Sequence, residues 1–216
     1  MSSPARRSPG PVRSLSRERI VRTGIELMRR DGLDAVSLRS VARALGVNPM
    51  ALYTYLKDKD ELLGGMFDEL MAELVPPAAD DPRSPEEQLV AYYVDARRLM
   101  AGNADFYRLV RPASGVSASV FDTSDRVLEL FLAAGVPPES VLPLWEQVIH
   151  LTVGSALYAS AAGEGSLDDV IASSLAEISD EVLSRPHLAQ VFAATHPRDP
   201  EGDFAKAVRT LLRAAR

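Results

Sequence analysis

The sequence predicts an all-α protein of nine to ten helices, and three observations support this. Apolar residues recur at spacings of three and four along most of the chain, and no segment alternates with period two. Serine, asparagine or aspartate precedes several of these stretches, and glycine or proline follows them, as expected at helix ends. With 216 residues, 46% of them hydrophobic, the chain is long enough to bury a core.

Three helices are predicted in the N-terminal part, over residues 17–31, from residue 38 to residue 45, and from residue 49 onward. A polar residue stands where each helix needs an N-cap, and a glycine follows each of the first two. The turn between the second and third helices is very short. These caps and stops are Ser16, Gly32, Ser37, Gly46 and Asn48.

The second and third predicted helices meet the physical requirements of a helix-turn-helix. Ala42 lies where the two helices would cross, and a larger side chain there would push them apart. Gly46 supplies the turn. Residues at inward spacing would form a small core, and the others would face outward toward DNA. The inward set is Val41, Leu45, Val47, Leu52 and Tyr55, and the outward set is Pro49, Met50, Ala51, Tyr53 and Thr54.

Three parts of the chain are predicted: a disordered basic arm over residues 1–15, a helix-turn-helix domain over 16–60 and a second helical domain over 61–216. A long amphipathic helix capped by Asp58 would join the two domains. In the second domain, the capping box Ser84-Pro85-Glu86-Glu87 and a stripe near the C-terminus indicate further helices. That stripe is Phe204, Val208, Leu211 and Leu212.

Apolar residues surround the predicted helix over 139–162, so burial on all sides is expected. A membrane span is the competing interpretation, because the segment has a suitable length. Glu146, Gln147 and His150 argue against it, since polar and ionisable groups are costly in a bilayer. No membrane partner is predicted.

Charge is distributed unevenly along the chain. The formal net charge is −6, but residues 1–60 carry 12 Arg and Lys against 6 Asp and Glu, whereas residues 61–216 carry 12 against 24. A basic segment attracts phosphate and an acidic one is repelled by it, which favours a nucleic-acid partner for the N-terminal part. A chance imbalance among solvated surfaces is the alternative interpretation.

The chain contains no cysteine, which excludes disulfides and Cys-ligated metals. The first fifteen residues lack the apolar run of a signal peptide, so a cytoplasmic location is expected. Arg6, Arg7 and Arg13 in this arm would either enter a minor groove or remain solvated.

The stretch SLRSVARALGVNPMALYTYLKDKDELL resembles the signature of the TetR (tetracycline-repressor) family of transcriptional regulators, and the match covers about residues 16–63. In that family an aromatic, Lys and Leu pattern follows the helix-turn-helix, and here it is Tyr53, Tyr55, Lys57, Lys59 and Leu62. The resemblance implies a homodimeric repressor that binds a palindromic operator in double-stranded DNA. A small, largely apolar effector would release it.

The resemblance also implies roles for individual residues. Tyr53 and Lys59 would contact phosphates, with ordinary packing as the alternative for Tyr53. Arg39 would reach a guanine in the major groove or else a phosphate. The full set of predicted DNA-binding residues is Ser37, Arg39, Asn48, Pro49, Met50, Ala51, Tyr53, Thr54, Lys57 and Lys59.

Large apolar side chains in the second domain predict an effector cavity, although each could equally be ordinary core. His150 lies one turn after Glu146, so a contact between these two is favoured over ligand recognition. Asp95 and Arg97 are further polar candidates. The predicted ligand-binding residues are Phe67, Met71, Tyr92, Met100, Phe106, Tyr107, Phe121, Trp145 and His150.

An enzyme is the alternative from another functional class. The chain has no Gly-rich phosphate loop, HExxH, Gly-x-Ser-x-Gly or cysteine nucleophile, and His150, His187 and His196 lack metal-ligand spacing. No catalytic residue, cofactor or metal is therefore predicted. A DNA-binding activator or a ligand-independent regulator also fits the sequence. Dimerisation is expected through the apolar segment from Val141 to Tyr158 and a stripe over residues 167–182.

Overall fold

The computed structural model describes residues 15–109, 118–161, 184–193 and 199–216. Within these ranges the chain forms helices, turns and loops and no β-strand, which confirms the predicted all-α fold. Several features discussed above lie outside the described residues. They are Arg6, Arg7 and Arg13 of the arm, the stripe over 167–182, and His196.

The chain divides into two compact units, Met1–Glu69 and Leu70–Arg216. The division proposed from the sequence falls earlier, after residue 60. In chain order the elements are α1 (Arg17–Asp31), a 3₁₀ helix (Leu33–Ala35), α2 (Leu38–Leu45), α3 (Pro49–Leu52), α4 (Lys59–Met71), α5 (Pro85–Ala101), α6 (Phe106–Leu109), α7 (Ala118–Ala133), α8 (Pro138–Ala161), α9 (Pro186–Ala193) and α10 (Pro200–Ala214).

Side-chain caps begin the helices of the first unit at the residues that the sequence indicated. The Ser16 hydroxyl accepts a first-turn backbone N–H of α1 at 3.2 Å. At α2 the Ser37 hydroxyl accepts the Ser40 N–H at 3.1 Å, and the Ser40 hydroxyl accepts the Ser37 N–H at 2.9 Å. Asp58 accepts the N–H of Glu61 at 2.9 Å at the start of α4. The predicted caps are confirmed.

The turn between α2 and α3 depends on two small residues. Ala42 is fully buried. Gly46 ends α2 in the left-handed conformation, with φ +69° and ψ 30°. The Val47 N–H donates to the Ala42 carbonyl at 3.0 Å, which closes the turn as in a Schellman motif. The predicted glycine turn is confirmed, and Ala42 is buried, as the predicted helix crossing requires.

Two other glycines explain why the first unit extends into α4. A Cβ atom on Gly65 would lie 2.8 Å from Cγ2 of Val21, and one on Gly24 would lie 2.8 Å from Sδ of Met66. α1 and α4 therefore approach closely at these points. The sequence-based boundary at residue 60 follows capping and charge, whereas the compact unit also includes the part of α4 that packs on α1.

α5 provides the centre of the second unit, where it packs against α7, α8 and α10. Large apolar side chains from these four helices form a core, and their removal from water is the main favourable contribution to the fold. The predicted C-terminal stripe is part of this core. The most deeply buried residues of the core are Leu89, Leu130, Phe131, Val148, Val208 and Leu212.

The expectation that α8 is buried on all sides is wrong for the single chain. Its buried residues follow helical spacing along one face, because α8 packs on α5, α7 and α10 only on that side. Several apolar residues outside this face are exposed. The buried set is Val141, Leu144, Val148, Thr152 and Ala156, and the exposed set is Leu142, Ile149, Leu157 and Tyr158.

Among the described residues, no single helix is long and apolar enough to span a membrane. Two segments, Val120–Ala133 and Pro138–Ser160, meet the length and composition criteria only as a pair, and they are bent by 117° relative to each other.

Ion pairs join the N-terminal turn of α5 to the last turn of α10. Glu86, with a largely buried side chain, accepts hydrogen bonds from Arg213 at 2.9 and 3.0 Å and also from Arg216. The neighbouring Glu87 pairs with Arg209 at 2.8 Å. Carboxylates at a helix N-terminus and guanidinium groups near a helix C-terminus also suit the two helix dipoles. The Arg213 hydrogen bond holds the pKa of Glu86 below its usual value.

We expect Gly46→Ala to lower the free energy of unfolding by about 1 kcal/mol, because the Cβ is strained at φ +69° although the space around it is open. Gly46→Asn is the matched control, since asparagine tolerates the left-handed region better. Urea denaturation monitored by circular dichroism measures both. Equal losses for the two variants would contradict the assignment to backbone strain.

Replacing Glu86 by glutamine should lower the free energy of unfolding at pH 7 by about 1–2 kcal/mol, because hydrogen bonds to a charged acceptor are lost. The folded-state pKa lies below 4.5, so this stabilisation is present above pH 4.5 and is lost as the pH falls through the folded-state value. The gap between wild type and variant should therefore close in acid. Glu87→Gln, at a more exposed carboxylate, should cost less, and a gap independent of pH would disprove the charge argument.

Candidate DNA-binding surface and effector cavity

α3 presents an exposed surface although it is only four residues long. Asn48 caps it by accepting the Met50 N–H on its side-chain oxygen at 2.9 Å, and Pro49 occupies the first helical position. The side chains of Met50 and Tyr53 are 70% and 51% exposed. Large apolar side chains are thus held in solvent next to a well-packed turn, which is typical of a surface that meets a partner.

The predicted DNA-binding residues occupy the start of α2, all of α3 and the start of α4. Seven are exposed and three are half-buried. The side-chain oxygens of Ser37 and Asn48 already accept backbone N–H groups, so these two residues fix helix ends rather than leaving free acceptors. The exposed set is Arg39, Asn48, Met50, Tyr53, Thr54, Lys57 and Lys59, and the half-buried set is Ser37, Pro49 and Ala51.

One inward-facing prediction is wrong. Tyr55 is 37% exposed rather than buried. α3 ends at Leu52, so helical spacing no longer determines which way later side chains point. Leu56, almost fully buried, takes the core position instead, and its N–H donates to the Leu52 carbonyl at 3.0 Å.

Acidic residues beside Lys57 and Lys59 are engaged in local contacts. Asp58 caps α4 through the Glu61 N–H. Glu61 accepts the Lys57 backbone N–H at 2.7 Å and lies 3.8 Å from the Arg17 guanidinium. These carboxylates bind backbone donors and Arg17, while the side chains of Lys57 and Lys59 are exposed. The start of α4 therefore offers ammonium groups to an anionic partner despite its acidic composition.

The second unit contains a cavity of about 100 Å³ between α5, α7, α8 and the residues that end α4. Four predicted ligand-binding residues line it: Met71, Tyr92, Met100 and Trp145. The full lining is Met71, Leu74, Tyr92, Tyr93, Ala96, Met100, Thr123, Ser124, Val127, Trp145, Ile149 and Thr152.

The other five candidates lie elsewhere, which corrects their assignment to this cavity. Phe67 belongs to the part of α4 in the first unit. Phe106 and Tyr107 line a separate space of only about 10 Å³. Phe121 is exposed on α7. His150 is exposed on α8, one residue beyond the cavity-lining Ile149.

The polar candidates of the second unit form surface contacts instead. The expected proximity of His150 and Glu146 is present, at 4.0 Å. Asp95 pairs with Arg98 at 3.0 Å. Arg97 donates to the Ser155 hydroxyl at 2.7 Å. Among the described residues, no group of three or more His, Asp and Glu is arranged to hold a metal ion.

Sequence reasoning missed the hydroxyl groups at the cavity, those of Tyr93, Thr123, Ser124 and Thr152. A signal was present for Tyr93, since Tyr93, Ala96 and Met100 share one face of α5 at spacings of three and four. Of the Tyr92-Tyr93 pair, only Tyr92 is among the predicted ligand-binding residues.

Tyr93 has an unusual environment. It is 3% exposed, and its ring packs edge-on against Tyr92, with ring centroids 5.3 Å apart. Its hydroxyl makes no hydrogen bond of acceptable geometry within the described part of the chain. Burial raises the pKa of this hydroxyl well above its ordinary range, although the nearby Trp145 side chain partly opposes the shift. Tyr93 is therefore a neutral hydrogen-bonding group in an apolar site.

Residues 20–66 match the family described as "Bacterial regulatory proteins, tetR family". An HTH-type transcriptional regulator from Saccharopolyspora erythraea is 27% identical over 192 residues, which is 88% of this chain and 72% of the relative. Residues 20–66 contain α2, α3 and the exposed start of α4.

Solved structures share the fold. Streptomyces coelicolor ActR, a TetR family protein solved in complex with actinorhodin, superposes with a TM-score of 0.78 at 22% identity, over 96% of each chain. BioQ, solved with its double-stranded DNA operator, gives a TM-score of 0.58 at 25% identity, over 68% of this chain and 88% of BioQ.

These relatives are transcriptional regulators rather than enzymes. The matched segment coincides with the capped helix-turn-helix, and the helical second unit fits the rest of the fold. Residues 20–66 of this chain therefore form a helix-turn-helix domain that matches the tetR family of bacterial regulatory proteins.

Proposed function

We propose that this chain is a ligand-responsive repressor that binds a palindromic DNA operator as a homodimer and leaves it when an effector fills the cavity of the second unit. The observation that carries the proposal is the α2–α3 turn, where buried Ala42 and left-handed Gly46 leave Met50 and Tyr53 in solvent. The solved complex of BioQ with its operator supports a DNA partner. ActR bound to actinorhodin supports a small-molecule effector.

Contacts to phosphate would set the position of the protein on DNA. Tyr53, Lys57 and Lys59 are exposed near the end of α3 and the start of α4, where a hydroxyl and two ammonium groups can reach the backbone. Binding would release counterions and depend steeply on salt. The acidic composition after residue 60 disfavours wrapping of the remaining surface by DNA.

Base recognition would rely on few hydrogen bonds. Arg39 is the exposed side chain near the start of α2 whose guanidinium group can bind a guanine edge. Pro49, Met50 and Ala51 bring mainly apolar surface, so contact with thymine methyl groups and DNA shape would contribute much of the selectivity.

Exposed apolar side chains of α8 support dimerisation. Leu142, Leu157 and Tyr158 lie in solvent outside the buried face of this helix. Water contact with so much apolar surface on one helix is unfavourable, and a second copy related by a two-fold axis would cover it. Such a dimer would place two copies of α3 at the half-sites of a palindrome.

Release by an effector requires a difference in affinity between two conformations. An effector that binds more tightly to the conformation with weak DNA affinity lowers operator binding, and operator DNA weakens effector binding by the same factor. An activator would raise transcription when it binds DNA. The operator affinity of a ligand-independent regulator would be unchanged by every compound. A titration of operator-bound protein with cavity-sized compounds, alongside a transcription assay, separates these outcomes.

Lys59→Ala should weaken binding to DNA from upstream of its own gene and reduce the slope of log affinity against log salt by about 1, because one phosphate contact is lost. Fluorescence anisotropy at several salt concentrations measures both quantities. Lys206→Ala is the matched control, since Lys206 is an exposed lysine on α10. If both variants changed the salt dependence equally, Lys59 would not be part of the DNA-binding surface.

Leu142→Glu should shift the protein from dimer to monomer at micromolar concentration and weaken operator binding, because charge is introduced on the exposed face of α8. Val75→Glu makes the same replacement at a residue that is 79% exposed outside α8, and should leave the dimer intact. Analytical ultracentrifugation gives the assembly state. A monomeric wild type, or a Leu142→Glu variant that stays dimeric, would refute the proposed interface.

A further inference from the structure

The cavity of the second unit contains a buried polar atom that the described residues leave without a partner, the hydroxyl of Tyr93. Another buried hydroxyl in the lining, that of Thr152, is satisfied, since it donates to the Val148 carbonyl at 2.6 Å. A buried hydroxyl without a hydrogen bond is unfavourable, and such groups are rare in folded proteins. A group that enters the cavity and pairs with Tyr93 would therefore gain affinity from that contact.

The lining excludes a charged occupant. It consists of aliphatic, aromatic and hydroxyl side chains, and none of the described residues around the cavity carries a charge. An isolated carboxylate or ammonium group loses its hydration in such a site and gains no ion pair in return. Trp145 adds an indole N–H near the Tyr93 hydroxyl, so the polar end of the cavity is neutral but can form hydrogen bonds.

Size and shape favour one aromatic ring. The cavity of about 100 Å³ is somewhat smaller than an engineered cavity of roughly 150 Å³ that admits benzene. Met71 and Met100 line it, and their unbranched side chains can shift to enlarge it. Tyr92, Tyr93 and Trp145 present aromatic rings, against which another ring packs with favourable edge-to-face or offset geometry.

We propose that this cavity binds the uncharged, hydroxylated aromatic ring of the effector, and that the Tyr93 hydroxyl recognises the hydroxyl group of that ring. The inference rests on the proposed function in taking the bound compound to be the effector. It adds the chemical class, a neutral phenol rather than a hydrocarbon or an aromatic acid, and it names Tyr93 as the residue that determines this specificity.

Three compounds of similar size test the proposal: phenol, benzene and benzoate. Trp145 is the sole tryptophan of the chain and lines the cavity, so its fluorescence reports binding in the full-length protein without a label. In the wild type, phenol should bind about 3–10-fold more tightly than benzene, the factor expected for one hydrogen bond. Benzoate should give no saturable change.

Tyr93→Phe should abolish the preference for phenol and leave benzene affinity unchanged. Tyr55→Phe is the matched control, because it removes a tyrosine hydroxyl from an exposed position in the first unit, outside the cavity, and it should keep the preference. Equal binding of phenol and benzene to the wild type would overturn the proposal. Persistence of the preference in Tyr93→Phe, or saturable binding of benzoate, would overturn it as well.

The stability of Tyr93→Phe provides an independent readout. Removal of an unpartnered buried hydroxyl should leave the midpoint of urea unfolding unchanged or raise it, whereas loss of a satisfied hydrogen bond would lower it. A clearly lowered midpoint would show that the hydroxyl is already paired, and would contradict the proposal.

Operator binding without any compound separates this inference from the proposed function. If the protein binds phenol through Tyr93 but shows no salt-dependent DNA binding, the specificity site is supported and the proposal of a repressor is refuted. If it binds its operator but shows no preference for phenol, the proposal of a repressor is supported and the specificity site is refuted.

Discussion

The turn between α2 and α3 is the packing constraint on which the DNA-binding surface depends. Ala42 is fully buried and its carbonyl accepts the Val47 N–H of this turn, while Gly46 reverses the chain in a conformation that other residues adopt at a cost. Leu52 and Leu56 close the core beneath the short helix α3. Met50 and Tyr53 therefore extend into solvent.

Each unit has a separate core and a separate chemical character. The first is basic in composition and uses glycine contacts to bring α1 and α4 together, whereas the second is acidic and is built around α5. The ion pairs of Glu86 and Glu87 with Arg213 and Arg209 hold the first turn of α5 against α10. The cavity is lined by later residues of α5, so these ion pairs do not depend on the packing around the cavity.

Local rules predicted much of the fold. Ser16, Ser37 and Asp58 are N-caps because a short polar side chain can satisfy a first-turn N–H whatever the tertiary context. The misjudged positions depend on distant packing. Tyr55 follows a helix that ends early. Apolar residues of α8 outside its buried face are exposed, and sequence periodicity does not show which apolar residues of a helix the fold leaves in solvent. The role of Tyr93 could not be predicted from the sequence, because it depends on which side chains surround its hydroxyl in the fold.

Hydrogen exchange on the full-length protein, with and without DNA from upstream of its own gene, tests the central claim most directly. If the turn between α2 and α3 presents α3 to DNA, the backbone amides of residues 50–59 should exchange more slowly in the complex, because DNA covers them. Slowed exchange confined to the second unit, or unchanged exchange over residues 50–59 in a saturated complex, would contradict this account of the surface.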